Sequence, residues 1–146
     1  RALSVAARAL LVELTMLDNG ENNGSLYQGI RDAAGRLGMA DLTAVRSAFD
    51  ELQDLGFIEM TEAASFHVKA AEKSRARCWR LSWLAGPGRK GPSMAFMECQ
   101  PEPGTKARMR MERGMRALKA YRKARDSGRL PVLDSDTESH AIPSIR

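Results

Sequence analysis

Basic side chains are the residues of this sequence whose number and spacing suggest a chemical task. Between residues 105 and 125 an arginine or a lysine recurs every one to three positions, and Glu112 is the one acidic residue there. Guanidinium and ammonium groups bind phosphate oxygens through charge and hydrogen bonds. The 146-residue chain has a formal net charge of +5. Its positive charge is concentrated in residues 69–123, whereas residues 13–62 are neutral to acidic. This asymmetry predicts a polyanionic partner.

The other reactive side chains do not form a catalytic or metal-binding pattern. Cys78 and Cys99 are not a C-x-x-C pair, and His67 and His140 lie far apart in the sequence. A structural zinc site needs about four clustered ligands, and the sequence contains neither a nucleophile motif nor a phosphate-binding loop. We therefore expect no enzymatic activity, no metal and no cofactor.

The sequence also predicts where the protein works. No apolar run approaches the roughly 18 residues of a membrane-spanning helix, and the first residues do not follow the signal-peptide pattern. Two cysteines without a disulfide framework suit a reducing compartment. We expect a cytoplasmic, nucleoid-associated protein that does not contact the membrane.

The first helix is predicted from apolar residues that recur at a spacing of three to four, with Ser4 as its N-cap. These apolar residues are Leu3, Ala7, Leu10, Leu14 and Leu17, with Leu11 beside them. The segment 18–25 is dense in turn-forming residues and ends the helix. Residues 25–27 are predicted to form a short edge strand.

Residues 29–55 predict a helix-turn-helix. A short helix directs Ile30, Ala33, Ala34 and Leu37 inward, and Gly38 supplies the tight turn that ends it. A second helix, capped by Asp41, directs five apolar residues to one face, namely Leu42, Val45, Phe49, Leu52 and Leu55. The small alanines let the two helices cross closely. An ordinary αα-hairpin is the alternative interpretation of this stretch alone.

Two strands are predicted to follow. Gly56 is placed to end the second helix, and residues 57–60 predict the first strand. Residues 78–84 predict the second strand. In this strand Trp79, Leu81 and Trp83 lie on one face, and Cys78, Arg80 and Ser82 lie on the other. The connection between the strands is polar and basic. The predicted fold class is mainly α with a small β-hairpin (α+β), a winged helix-turn-helix of residues 1–85.

The remainder of the chain is predicted to form a linker, a helix and a tail. Residues 86–104 are rich in glycine and proline and predict a linker. Residues 105–128 predict a basic amphipathic helix capped by Thr105, and residues 129–146 predict a disordered tail. The apolar stripe of the helix consists of Met111, Met115, Leu118 and Tyr121. This stripe is too narrow to stabilise an isolated helix, so we expect it to need a partner surface, which could be the first domain, a second copy in a homodimer or another protein.

Several pieces of the sequence occur together in one known family. They are Asn22-Asn23-Gly24, Arg31-Asp32-Ala33-Ala34, Leu37-Gly38, Thr43-Ala44, Leu52, Leu55-Gly56-Phe57-Ile58, Ser65-Phe66 and Trp79-Arg80-Leu81-Ser82-Trp83. In this combination, over roughly residues 3–84, the chain resembles winged helix-turn-helix DNA-binding proteins. It is most similar to the small helix-turn-helix proteins of α-proteobacterial genomes, plasmids and prophage-like elements. The resemblance implies a DNA-binding fold, and it does not account for the basic helix.

The outward side of the second helix supplies the candidate base-reading residues, because a recognition helix contacts base edges in the major groove. These are Thr43, Ala44, Arg46 and Ser47. A guanidinium can bind guanine O6 and N7 together, which favours Arg46, although an exposed ion pair with Asp50 is the alternative. The candidate contacts to the DNA backbone are Arg31, Lys69, Lys73, Arg75, Arg77, Lys106, Arg110 and Arg113.

Three functions remain open from the sequence. The first is a sequence-specific double-stranded DNA-binding protein that regulates bacterial transcription, with a recognition helix at 41–55 and a basic wing near 65–77. The second is an accessory protein for replication or excision of a plasmid or mobile element. The third is a winged-helix module that binds another protein through the apolar stripe.

Overall fold

The computed structural model describes residues 3–63, 77–86 and 91–129 of the chain. Within these ranges the elements are α1 (Val5–Met16), β1 (Leu26–Tyr27), α2 (Ile30–Leu37), α3 (Leu42–Asp54), β2 (Ile58–Glu62), β3 (Cys78–Leu81), α4 (Ala95–Glu98) and α5 (Lys106–Asp126). The predicted α+β class, with helices predominating over a small antiparallel sheet, is confirmed.

The three strands form one antiparallel sheet in the order β1-β3-β2. Leu26 is opposite Trp79 across the first pair, and Ile58 is opposite Leu81 across the second. The strand predicted at residues 25–27 is thus present as an edge strand. It adds a third strand to the predicted hairpin.

The central strand, β3, differs from its prediction in length and in burial. It ends at Leu81, and the chain turns at residues 82–83. Of the residues assigned to the face opposite Trp79, Cys78 is 8% exposed, and Ser82 is fully buried and lies beyond the end of the strand. A central strand has neighbours on both edges, so its side chains are shielded more than a hairpin pattern predicts.

The first helix packs as its apolar spacing predicts. Ala7, Leu10 and Leu14 are fully buried, and Ser4 caps the helix by accepting a hydrogen bond from the N–H of Ala7 at 3.1 Å. Ser4 also donates to Glu51 on α3, from its N–H at 2.9 Å and from its hydroxyl at 2.6 Å. The beginning of α1 is therefore fixed to the middle of α3.

The second helix ends at Gly38, which adopts the left-handed conformation with a φ of 62°. Ala33 and Ala34 are buried against the other helices, and Ile30 and Leu37 are half-buried at the edge of the same core. The predicted inward face of this helix and its glycine end are confirmed.

The third helix has one face in the core, and Phe49 stacks on Trp79 with ring centroids 4.8 Å apart. The indole N–H of Trp79 donates to the carbonyl of Gln28 at 2.9 Å. Val45 is also fully buried, but the expectation that Leu42 points inward is wrong, because its side chain is 43% exposed. Leu42 is the first residue of the helix and lies before the stretch that contacts the core.

Gly56 ends the third helix with a φ of 71°. Its N–H donates to the carbonyl of Gln53, and the N–H of Phe57 donates to that of Leu52, both at 2.9 Å. This pair of bonds is the Schellman motif. Because Phe57 belongs to the motif, β2 begins at Ile58, one residue later than predicted. A Cβ on Gly56 would lie 2.9 Å from the carbonyl carbon of Ala95, so the glycine also allows the close approach of α4.

Asn23 connects the loop before β1 to the turn after β3. Its side-chain Nδ2 donates to the carbonyls of Leu81, Leu84 and Ala85 at 3.0–3.1 Å, and its Oδ1 accepts from the N–H of Leu81 at 2.7 Å. The side chain is 3% exposed. One amide group in the loop before β1 therefore satisfies four backbone groups at the end of β3 and in the turn after it.

The segment 86–104, which the sequence predicts as a linker, contains the short helix α4. Phe96 of this helix stacks on Phe57 at a centroid distance of 5.3 Å and meets Trp83 edge-on at 6.4 Å. The thiol of Cys99 donates to the carbonyl of Asp54 at 3.3 Å. Part of the segment is thereby packed against the sheet and the end of α3.

Candidate nucleic-acid interface

One side of α3 carries exposed polar residues. Oδ1 of Asp41 accepts from the N–H groups of Thr43 at 2.8 Å and Ala44 at 3.2 Å, which confirms the predicted cap. The side chains of Thr43 and Arg46 are exposed. Within the described part of the chain Arg46 makes no hydrogen bond or ion pair, so the alternative pairing with Asp50 is not formed.

The other two predicted base-reading residues lie on a different side of the same helix. Ala44 and Ser47 are half-buried and line a groove between the beginning of α1, α3 and α5, which we call the α1–α3–α5 groove. The carbonyl of Ser47 accepts from Nη1 of Arg110 at 3.3 Å. The structure thus separates the four predicted residues into two pairs, and only Thr43 and Arg46 are on the open side.

The segment that contains α2, α3 and β2 is acidic. Residues 13–62 contain ten acidic and three basic residues, and α3 itself carries Asp50, Glu51 and Asp54 against Arg46 alone. Glu51 is turned inward, where it accepts two hydrogen bonds from Ser4. Since acidic side chains repel phosphate, attraction to a polyanion has to come from other parts of the chain.

Arg110 joins α5 to α3. Its Nη1 lies 3.9 Å from Oδ2 of Asp54, in addition to its contact with the carbonyl of Ser47. Burial raises the pKa of Asp54, the charge of Arg110 lowers it, and the neighbouring charges of Asp50 and Glu51 raise it. Arg110 is therefore engaged within the fold, at a position where the sequence predicts a phosphate contact.

Among the described residues, the helix α5 holds the largest group of cations without an acidic partner. It carries nine basic and two acidic residues, so its formal charge of +7, from nine minus two, exceeds the +5 of the whole chain. Three of the cations are held by acidic residues at 2.8–3.9 Å, in the pairs Arg108–Glu112, Arg110–Asp54 and Arg125–Asp126. The other six form no ion pair within the described ranges: Lys106, Arg113, Arg116, Lys119, Arg122 and Lys123.

The apolar stripe of α5 is only partly covered. Met111 and Leu118 are half-buried, whereas Met115 is 47% and Tyr121 is 55% exposed. No residue of α5 is fully buried. The stripe therefore meets the rest of the protein beside α3 through Met111 and Leu118 and leaves Met115 and Tyr121 open.

The other residues that the sequence predicts to contact the DNA backbone differ in how exposed they are. Arg31 on α2 is exposed, and Arg77, just before β3, is half-buried. The predicted wing residues Lys69, Lys73 and Arg75 lie outside the described residues, as does most of the wing near 65–77.

Sequence reasoning missed two residues near these surfaces. Leu42 is exposed beside Thr43, and its place at the first position of α3 could have indicated this. Arg8 lies on the exposed side of α1 and lines the α1–α3–α5 groove. Nothing in the sequence indicates that α1 and α5 share a groove.

None of the described helices is long and apolar enough to cross a membrane. The described ranges also hold no group of three or more His, Cys, Asp or Glu residues that could bind a metal ion. Comparisons of the chain with protein-family models, with curated proteins and with solved structures gave no match.

Proposed function

We propose that this chain is a winged helix-turn-helix protein that binds double-stranded DNA and regulates transcription. The order of elements, α-β-α-α-β-β, supports this assignment, as does the pairing of the short first strand with the last strand. The turn between α2 and α3 is short and begins at a left-handed glycine, which suits the close crossing of a helix-turn-helix. The segment between β2 and β3 corresponds to the wing.

The observation that carries the proposal is the unpaired charge of α5. Six cations without acidic partners on one helix form a surface that attracts phosphates, and most protein–DNA hydrogen bonds go to phosphate and sugar. The acidic surface of the helical domain restricts how a duplex approaches. Thr43 and Arg46 would read bases, while α5 and the wing provide most of the attraction.

A selection experiment tests this proposal. Intact protein is used to select bound duplexes from a random pool, in parallel with Arg46→Ala. We expect an enriched sequence that includes a guanine, and we expect Arg46→Ala to relax the preference at that guanine, since a bidentate contact discriminates by about 1–3 kcal/mol. Arg31→Ala is the matched control, because Arg31 is exposed on α2 and should lower affinity without changing the enriched sequence. Failure to retain any duplex at moderate salt would contradict DNA binding.

The exposed part of the apolar stripe favours one other function, a protein-interaction module. Met115 and Tyr121 are about half exposed, and exposed apolar side chains beside charged ones are typical of protein interfaces. This function predicts that duplex DNA is not bound and that Arg46→Ala has no effect. If DNA is bound, the positions of its genomic sites separate regulation, at promoters, from replication or excision, at repeats near an origin.

A further inference from the structure

The α1–α3–α5 groove shares one residue, Arg113, with the cations proposed to contact DNA, and most of its lining takes no part in those contacts. It has a volume of about 590 Å³, within the range of about 300–1,000 Å³ that is usual for small-molecule sites. α5 touches the body of the protein mainly beside α3, so a space remains between α5 and the beginning of α1. The groove is open to solvent along this space.

The walls of the groove are largely apolar. Leu3 lines it from the residues before α1, Val5 from α1, Ala48 from α3, and Ala117 and Leu118 from α5. Val5 is 82% exposed, which leaves an apolar side chain in water without a packing partner. An apolar molecule that covered these side chains would gain hydrophobic free energy in proportion to the area it removes from water.

The polar groups of the groove have a definite charge pattern. Both carboxylate oxygens of Glu51 are engaged by Ser4, and Arg110 is engaged by Ser47 and Asp54. Arg8 and Arg113 remain as exposed guanidinium groups at the rim, and neither forms an ion pair within the described ranges. The charged groups that remain available to a ligand are therefore positive.

We propose that the α1–α3–α5 groove binds a small amphipathic carboxylic acid. The hydrocarbon part lies against Val5, Ala48 and Leu118, and the carboxylate accepts charge-assisted hydrogen bonds from Arg113 and Arg8 at the rim. Guanidinium groups suit this task, because their fork of N–H donors matches a carboxylate.

Decanoate is the probe for this site, and the protein is studied without DNA, so that loss of ligand binding and loss of DNA binding are separate results. Addition of decanoate is followed by the amide NMR shifts of the intact protein. We expect saturable shifts confined to the groove, led by Ala48, Ala117 and Leu118. Decanol, which has the same chain without the charge, should bind about tenfold more weakly, because it forms no charge-assisted hydrogen bond.

Two matched pairs of variants on α5 locate the site. Ala117→Trp fills the groove and should abolish decanoate binding. Ala120 does not line the groove, so Ala120→Trp should leave decanoate binding unchanged. Both alanines are exposed, so both variants should fold. Arg113→Gln should weaken binding about tenfold. Arg116→Gln removes an equally exposed cation outside the groove and should have no effect.

Three outcomes overturn the proposal. The first is the absence of saturable shifts in the groove of the intact protein. The second is equal weakening by Arg113→Gln and Arg116→Gln, which would show attraction to the whole basic helix. The third is undiminished binding by Ala117→Trp, which would place the ligand elsewhere.

Discussion

The dependence of DNA affinity on salt is the sharpest consequence of the charge on α5. Each phosphate neutralised by a cation contributes about −0.9 to the slope of log K against log salt. If all six unpaired cations of α5 contact phosphates, the slope is about −5, and affinity falls about a thousandfold between 50 and 200 mM salt. The six side chains do not all face the same way, since Arg113 lines the α1–α3–α5 groove, so this value is the steepest that these six cations can produce.

The perturbation is the triple substitution Lys119→Gln, Arg122→Gln and Lys123→Gln. It halves the number of unpaired cations, so we expect a slope of about −3 and a loss of about fortyfold over the same salt range. The matched control is Arg108→Gln with Glu112→Gln, which removes an existing ion pair and leaves the net charge unchanged. Its slope should equal that of the unaltered protein.

Fluorescence anisotropy of a short labelled duplex, repeated across a series of salt concentrations, measures these slopes. Circular dichroism of each variant shows whether α5 is retained. A slope shallower than about −2 for the unaltered protein would refute the role of α5 in DNA binding. So would equal slopes for the triple variant and its parent.

Three further predictions concern the fold that positions these surfaces. Asn23→Ala removes four hydrogen bonds and should lower the free energy of unfolding in urea by about 3 kcal/mol; a loss below about 1 kcal/mol would show that water replaces the amide. Gly56→Ala should lower the free energy of unfolding by at least about 2 kcal/mol, since it combines a positive φ with a steric clash. Gly35→Ala is the control, because Gly35 lies in open space within a helix, and this variant should be neutral or stabilising. In an NMR titration the carboxyl of Asp54 should have a pKa above its ordinary value because it is partly buried, and Arg110→Ala should raise this pKa further. Because the folded protein holds this proton more tightly, the contribution of Asp54 to stability is present at low pH and is lost as the pH rises through the raised pKa; an unchanged pKa in the variant would contradict the ion pair.

The parts of the fold that depend on residues close together in the sequence could be predicted. Ser4 and Asp41 cap their helices, and Gly38 and Gly56 end theirs, because each of these roles requires a residue type within one turn of the helix end. The alternation of apolar residues likewise identified the strand that contains Trp79. These are local signals, and they were sufficient for the order of the elements up to β3, whereas α4 was not predicted.

The arrangement of the candidate site could not be predicted in the same way. Ala44 and Ser47 have the spacing of an outward face, and only the position of α5, some sixty residues later, places them in a groove. The contact of Arg110 with Ser47 spans 63 residues, and no local pattern distinguishes this arginine from its unpaired neighbours. The exposure of Leu42 depends on where the helix crosses its partners, which apolar spacing does not specify.

The side chain of Asn23 has a consequence for the kinetics of folding. Its partners lie 58 to 62 residues further along the chain, whereas α2 and α3 are joined by a short turn. Contacts across such long separations have a high entropic cost of closure and tend to form after local ones. If the amide is engaged only after the transition state, removing it accelerates unfolding and leaves the refolding rate nearly unchanged. We therefore expect Asn23 to determine how long the native state persists rather than how quickly it forms, which stopped-flow measurements of Asn23→Ala in both directions would show.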